Sequence, residues 1–192
     1  MTGSVSIVNL DDPVDIEPLL RSYIIRRLSD VPDGPIKDRL LGSINLVDNY
    51  TTGLVAEVIV AESCGGELVG EGYGTHDVDL DGLRIEVKSS ALVQSWPQEE
   101  PSIPSYDIEK KHGYEDPTSI ERRNDVYVFA HHRGGKPDDP AEWTFYVVPT
   151  ARINERFSDQ KTIRLSVVID SLDPEVVDAA GLRAALEQCR SL

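Results

Sequence analysis

The chain has 192 residues, 40% hydrophobic and 28% charged, which is enough for one domain with a sizeable core and ordinary for a globular protein. Its formal charge of −15 argues against broad, non-specific nucleic-acid binding, which is driven by phosphate neutralisation. No apolar run approaches a membrane span, the opening MTGSVSIVNLDDPVDIEP lacks the basic region of a signal peptide, and Cys64 and Cys189 make no metal-ligand spacing. A cytoplasmic protein with reduced thiols and no membrane partner is therefore expected.

The charge is uneven. Residues 1–109 hold 7 basic and 20 acidic residues, whereas 110–136 hold 6 basic and 4 acidic. Lys110, Lys111, Arg122, Arg123, Arg133 and Lys136 make the locally basic region, either the lining of a nucleic-acid groove or a surface of mixed charge.

Residues 1–48 read as an N-terminal helical extension packed on the core, and 49–192 as the main domain, the two forming one compact unit. Ile16, Leu19, Leu20, Tyr23, Ile24 and Leu28 recur at helical spacing behind Asp15, and Pro35 opens a second helix after the VPDGP break. TTGLVAEVIVAES, capped by Thr51 or Thr52, is apolar nearly all round and predicts a buried helix lying on a sheet, ended by Gly65-Gly66. Glu57 is the only charge in its middle, and a buried carboxylate needs a partner. ELVGEGY at 67–73 predicts a first strand.

The stretch THDVDLDGLRIEVKSS, residues 75–90, carries the chemistry. Asp81-Gly82 suits a two-residue type I′ turn, which needs positive φ at both central positions. Closing a hairpin there sets Leu80 opposite Leu83, Asp79 opposite Arg84, Val78 opposite Ile85 and Asp77 opposite Glu86. Period two then divides the apolar residues from Asp77, Asp79, Arg84, Glu86 and Lys88. Carboxylates face to face repel, and a divalent cation with oxygen ligands removes that objection. The alternative is a solvated charged face with an Asp79–Arg84 ion pair.

After Lys88, ALVQSW continues apolar to Pro97. Residues 97–125 are proline-rich, charged and without periodicity; so long an irregular segment is usually functional or mobile. DVYVFAHH at 125–132 and WTFYVVP at 143–149 predict strands. His131 and His132, at a strand end beside Arg133, read as a solvated pair, with phosphate contact or metal ligation as the alternative. A short helix is expected over 150–157 and a final strand within KTIRLSVVI. The C-terminal helix is expected to open at Asp173-Pro174, with Val176, Val177, Leu182, Ala185, Leu186 and Cys189 on its buried side.

Asp77, followed by Glu86-Val87-Lys88 on the next strand, resembles the signature of the PD-(D/E)xK, or restriction-endonuclease-like, nuclease superfamily, with His76 in place of the proline that names the motif. Gly53 and Glu57 resemble the GxxxE arrangement of some members, in which a helix before the catalytic hairpin lends an acidic ligand. The whole chain, including QSW after the lysine and WTFYVVPT at 143–150, looks like a group of bacterial members; the specific match spans about residues 51–90. The resemblance implies an α/β fold, a restriction-endonuclease-like central mixed β-sheet flanked by helices. It also implies metal-dependent hydrolysis of phosphodiester bonds. Asp77 and Glu86, the Val87 carbonyl and Glu57 would hold Mg²⁺ or Mn²⁺, and Lys88 would orient or deprotonate the attacking water. Related nucleases often carry a polar residue where Gln94 stands, helping to hold substrate or water; an ordinary strand-end glutamine is the alternative. Members place a second core helix after the ExK strand, and PTSIERRN at 117–124 is the segment available for it.

The implied partner is nucleic acid, DNA ahead of RNA, contacted by Lys110, Lys111, Arg122 and Arg123, with a homodimer open. Two other readings stay open: a catalytically silent domain of this fold that binds nucleic acid or a protein, and a metal-binding structural protein.

Overall fold

The computed structural model describes residues 49–69, 76–93, 98–112 and 118–190. The expected N-terminal extension, most of the second half of the ELVGEGY strand, and Gln94 lie outside the described residues.

Helix α1 (Asn49–Cys64) is buried from Leu54 to Ala61 save for half-buried Glu57, as its apolar composition requires. It begins two residues ahead of the expected caps, so Thr51 and Thr52 lie inside its first turn and are buried. Its end is a Schellman motif: Gly66 N–H donates to the Ala61 carbonyl at 2.9 Å, and Gly65 takes φ +70°. A Cβ on Gly66 would come within 2.8 Å of the Val78 side chain and 3.0 Å of the Asp79 carbonyl. Glycine there lets the helix end sit directly on the hairpin.

Strand β1 (Glu67–Leu68) pairs antiparallel with β2 (Val78–Leu80), which pairs antiparallel with β3 (Leu83–Ala91). Asp81 and Gly82 take φ 50° and 85°, the expected positive values, and the register is the expected one: Val78 with Ile85, Asp79 with Arg84, Leu80 with Leu83. Three short strands follow, β4 (Ser105–Asp107), β5 (Lys111–His112) and β6 (Ile120–Glu121). The expected long strands are β7 (Val126–His132) and β8 (Trp143–Pro149). Then come α2 (Thr150–Arg156), β9 (Thr162–Arg164), α3 (Leu165–Leu172), β10 (Glu175–Val177) and α4 (Leu182–Cys189).

The described residues thus form an α/β fold around a mixed sheet of order β1-β2-β3-β7-β8-β10. Every neighbouring pair is antiparallel except β3–β7. Parallel neighbours need a long crossover, and residues 92–125 supply it. Among the described residues that crossover contains no helix, which corrects the expectation for PTSIERRN. Ile120–Glu121 instead pairs with Lys111–His112 in a two-stranded ribbon, and β4 pairs with β9. So short a segment does not hold a helix by itself, and the two arginines that follow Glu121 bond to backbone carbonyls that keep it extended.

The C-terminal region also differs. Asp173 takes a left-handed φ of 45°, and Glu175–Val177 adds to the sheet beside β8, so the last helix starts only at Leu182. Val176 is exposed, where a helix would have buried it. Two adjacent valines favour the extended chain once an open strand edge is available.

Two cores sit on opposite sides of the sheet. One joins α1 and α4 to Val78, Leu80, Ile85, Val87, Val128 and Phe145. The other gathers Tyr106, Ile108, Tyr127, Phe129, Ile153 and Ile163 under β4, β9, α2 and α3. His131 and His132 are buried, not solvated, His132 lying 4.9 Å ring to ring from Trp143; burial depresses the pKa of both. Among the described residues no helix is long and apolar enough to cross a membrane.

Candidate active site on the central hairpin

Glu86 and Lys88, two apart on β3, project from the same face, the one that also carries Tyr127 and Phe129 in the parallel register. Glu86 is buried, and its Oε1 accepts Lys88 Nζ at 2.5 Å and stands 3.4 Å from Lys111 Nζ. Lys88 is therefore fixed by a neighbour on its own strand, whereas Lys111 arrives from β5.

The ladder between β2 and β3 stops at Val78–Ile85. One residue earlier, Asp77 N–H donates to the Ile85 carbonyl at 2.9 Å, and Asp77 Oδ2 accepts the Val87 N–H at 2.8 Å. Asp77 is thus not a simple rung opposite Glu86: its carboxylate is drawn along the β3 edge, past the end of β2. Because N–H and C=O of one strand residue share a side, the Val87 carbonyl points to that same edge. Asp77, Glu86 and Val87 together offer oxygen donors only, the set that hard cations take.

The electrostatics of this pair are unbalanced. Burial, and then the Glu86 carboxylate, push Asp77 up to about 6, and Lys88, the Val87 N–H and Lys111 offset only part of that. Burial by itself would lower the pKa of Lys88. The adjacent Glu86 charge and hydrogen bond, with Asp77 and Asp107, outweigh it and raise the pKa, so Lys88 is a firm cation. No family model and no curated protein matches this chain. What the site does must be argued from these residues.

The other residues singled out in the sequence fall elsewhere. Arg84 does not pair with Asp79. Its guanidinium grips Asp125 at 2.7 and 3.1 Å, and its backbone N–H reaches the same carboxylate at 2.9 Å. That clamp, which holds the Asp125 carboxyl below its usual range through the Arg84 side-chain hydrogen bonds, locks the start of β7 beside β3. Asp79 Oδ1 instead accepts the Gly82 N–H at 2.8 Å and closes the turn. Glu57 lies on α1, against the opposite face: a Cβ on Gly53, one turn earlier, would stand 3.9 Å from Ser89 Oγ. Among the described residues no three acidic, histidine or cysteine side chains converge into a ready cation cage.

Of the basic residues, Lys111 is the one beside the pair. Lys110 reaches exposed Asp159 at 3.3 Å. Arg122 is a buried structural clamp: its five N–H donors go to the Ile108, Ser158, Phe157 and Gln160 carbonyls and Asn154 Oδ1, leaving none for a phosphate. Arg123 bonds Lys111 O and Ser119 at the foot of the ribbon. Sequence reasoning missed Asp107 and Asp125. Neither has a spacing signal, since the crossover is what brings Asp125 to Arg84 and Asp107 near Lys88.

Proposed function

We propose that the chain is a metal-dependent nuclease of restriction-endonuclease-like fold that hydrolyses phosphodiester bonds, DNA ahead of RNA. The observation that carries this reading is the convergence of Asp77, Glu86 and Lys88 at the edge of β3, where burial first and the Glu86 carboxylate second push Asp77 up to about 6. A site whose acids oppose one another's ionisation has a use for a cation. Asp77, Glu86 and the Val87 carbonyl would hold Mg²⁺ or Mn²⁺, which when bound supplies Lewis-acid polarisation of a phosphoryl oxygen.

The rest falls to the protein. Lys88, raised in pKa and held at Glu86, is protonated at neutral pH. Its role is therefore to donate a charged hydrogen bond and offset charge gathering on the phosphorus oxygens, with proton abstraction open to it only if its carboxylate partners are drawn away. The Val87 N–H aims the Asp77 carboxylate, and burial of Glu86 keeps water from screening it.

A silent binding domain is the second reading, and one observation favours it: Glu86 already has two lysines. One experiment separates the two. Supercoiled, linear and single-stranded DNA, and RNA, are incubated with Mg²⁺ or Mn²⁺, using wild type and Lys88→Ala. Cleavage by wild type should fall about a hundredfold or more in Lys88→Ala, the scale of removing one charge-stabilising donor. Alongside, Mn²⁺ should raise the melting temperature of wild type beyond matched NaCl, by about 2.7 kcal/mol of stability at a hundredfold excess over Kd, and Glu86→Gln should lose that shift. Equal cleavage in both proteins, or identical metal responses of wild type and Glu86→Gln, removes the nuclease reading.

A further inference from the structure

Glu86 Oε1 has two ammonium partners of different character. Lys88 Nζ sits at 2.5 Å with a side chain 22% exposed, and Lys111 Nζ sits at 3.4 Å with a side chain 64% exposed. Lys111 is also far from Glu86 in sequence, presented by the β5–β6 ribbon. The foot of that ribbon is fastened twice, by Arg123 Nη1 on the Lys111 carbonyl at 3.3 Å and by buried Arg122 on the Ile108 carbonyl at 2.7 Å. The backbone of Lys111 is thus held over the site while its long side chain, mostly exposed along its length, reaches in to Glu86 only at its tip.

Resting on the nuclease reading, we propose that Lys111 is an exchangeable cation. It neutralises Glu86 while no divalent ion is bound, yields Glu86 to the ion, and then holds a phosphate of the nucleic-acid strand.

The charges give the reason. Asp77 and Glu86 against Lys88 and Lys111 leave no surplus of positive charge, and Asp107 near Lys88 adds a further negative one, so the corner attracts no polyanion in a chain of net charge −15. A divalent ion at the carboxylates meets two ammonium groups on the same oxygen, and like charges a few ångströms apart repel. Lys88, mostly buried, has little water to move into. Lys111 has more, because water already solvates most of its side chain. Once Lys111 leaves Glu86, the ion, Lys88 and Lys111 make the corner positive and a phosphodiester becomes its natural counter-ion. Binding of metal and of nucleic acid are then linked, and linkage is reciprocal.

Removing the Lys111 charge should therefore act with opposite signs on the two ligands. Mn²⁺ is titrated calorimetrically, without nucleic acid, into the full-length wild type, Lys111→Gln, Lys110→Gln and Glu86→Gln. Lys111→Gln should bind Mn²⁺ roughly five- to tenfold more tightly, the scale of one competing charge at about 4 Å in water. Lys110→Gln loses the same charge next door, where the ammonium faces Asp159, and should change less than about twofold. A fluorescent DNA duplex, titrated in Ca²⁺ and read by anisotropy, should bind Lys111→Gln several-fold more weakly than wild type. The exchange is overturned if Lys111→Gln binds Mn²⁺ no more tightly than wild type, if Lys110→Gln matches it, or if DNA affinity is unchanged while metal affinity rises. Failure of the parent reading looks different: wild type and Glu86→Gln would then take up Mn²⁺ equally or not at all.

Discussion

The face of the central sheet under α1 and α4 is dry: Val78, Leu80, Ile85, Val87, Val128 and Phe145 meet apolar helix surface, and the nearest charge on α1, Glu57, is only half-buried. The opposite face of the same strands presents Glu86 and Lys88 beside Tyr127 and Phe129, under short strands, a ribbon and two short helices held in place by Arg122. The difference follows from one residue of alternation along β3, where Leu83, Ile85 and Val87 pack and Arg84, Glu86 and Lys88 carry the charges. The dry face draws stability from area alone. The other needs partners for each buried polar group, and where compensation is incomplete, at Asp77, it has free energy that a ligand can recover.

The largest effect that tests this contrast comes from the dry face. Phe145 is fully buried, and Phe145→Ala should cost about 3–5 kcal/mol in urea unfolding, through lost transfer energy and an unfilled cavity. Its Mn²⁺-induced stabilisation should match that of wild type. If Phe145→Ala also loses the metal response, the faces are coupled and the contrast is too simple.

A smaller and opposite effect is expected at Asp77. Its folded carboxyl titrates at about 6, above the ordinary 3.8, so its contribution to stability is complete below pH 3.8 and is lost as the pH rises through 6. In EDTA, wild type should lose on the order of 1–3 kcal/mol relative to Asp77→Asn between pH 4 and pH 7, and saturating Mn²⁺ should shrink that difference. Parallel pH profiles of the two proteins would mean that Asp77 carries no uncompensated charge.

The smallest effect sharpens the choice of aspartate. Asp79→Asn keeps an oxygen acceptor for the Gly82 N–H, so unfolding should shift by less than about 1 kcal/mol. Cleavage should survive in Asp79→Asn and vanish in Asp77→Asn. The reverse result would assign the site to the turn end of the hairpin.

Much of this was legible from local patterns. The Asp-Gly turn, the three-rung register, the apolar helix before it and the two β-branched strands after it all stand as expected, because each is encoded within a few residues. The errors fall where a segment's partner lies far along the chain. Arg84 looked paired with Asp79 across the turn, yet Asp125, forty-one residues on, offers it a bidentate grip. Arg122 looked like a phosphate contact and is a buried clamp, and residues 175–177 joined a sheet edge instead of a helix.

The sequence by itself determined that Glu86 and Lys88 share a face and that Asp77 stands at the hairpin's mouth, since alternation and a two-residue turn leave no other arrangement. It could not decide which cations reach Glu86, or that the Asp77 carboxylate turns onto the Val87 N–H in place of a rung. Those depend on where β2 stops and on a crossover that returns Lys111 to the site from twenty-five residues away. Only the tertiary structure sets such distances, because electrostatic free energy follows separation in space and burial, and neither is written in the spacing of residues along the chain.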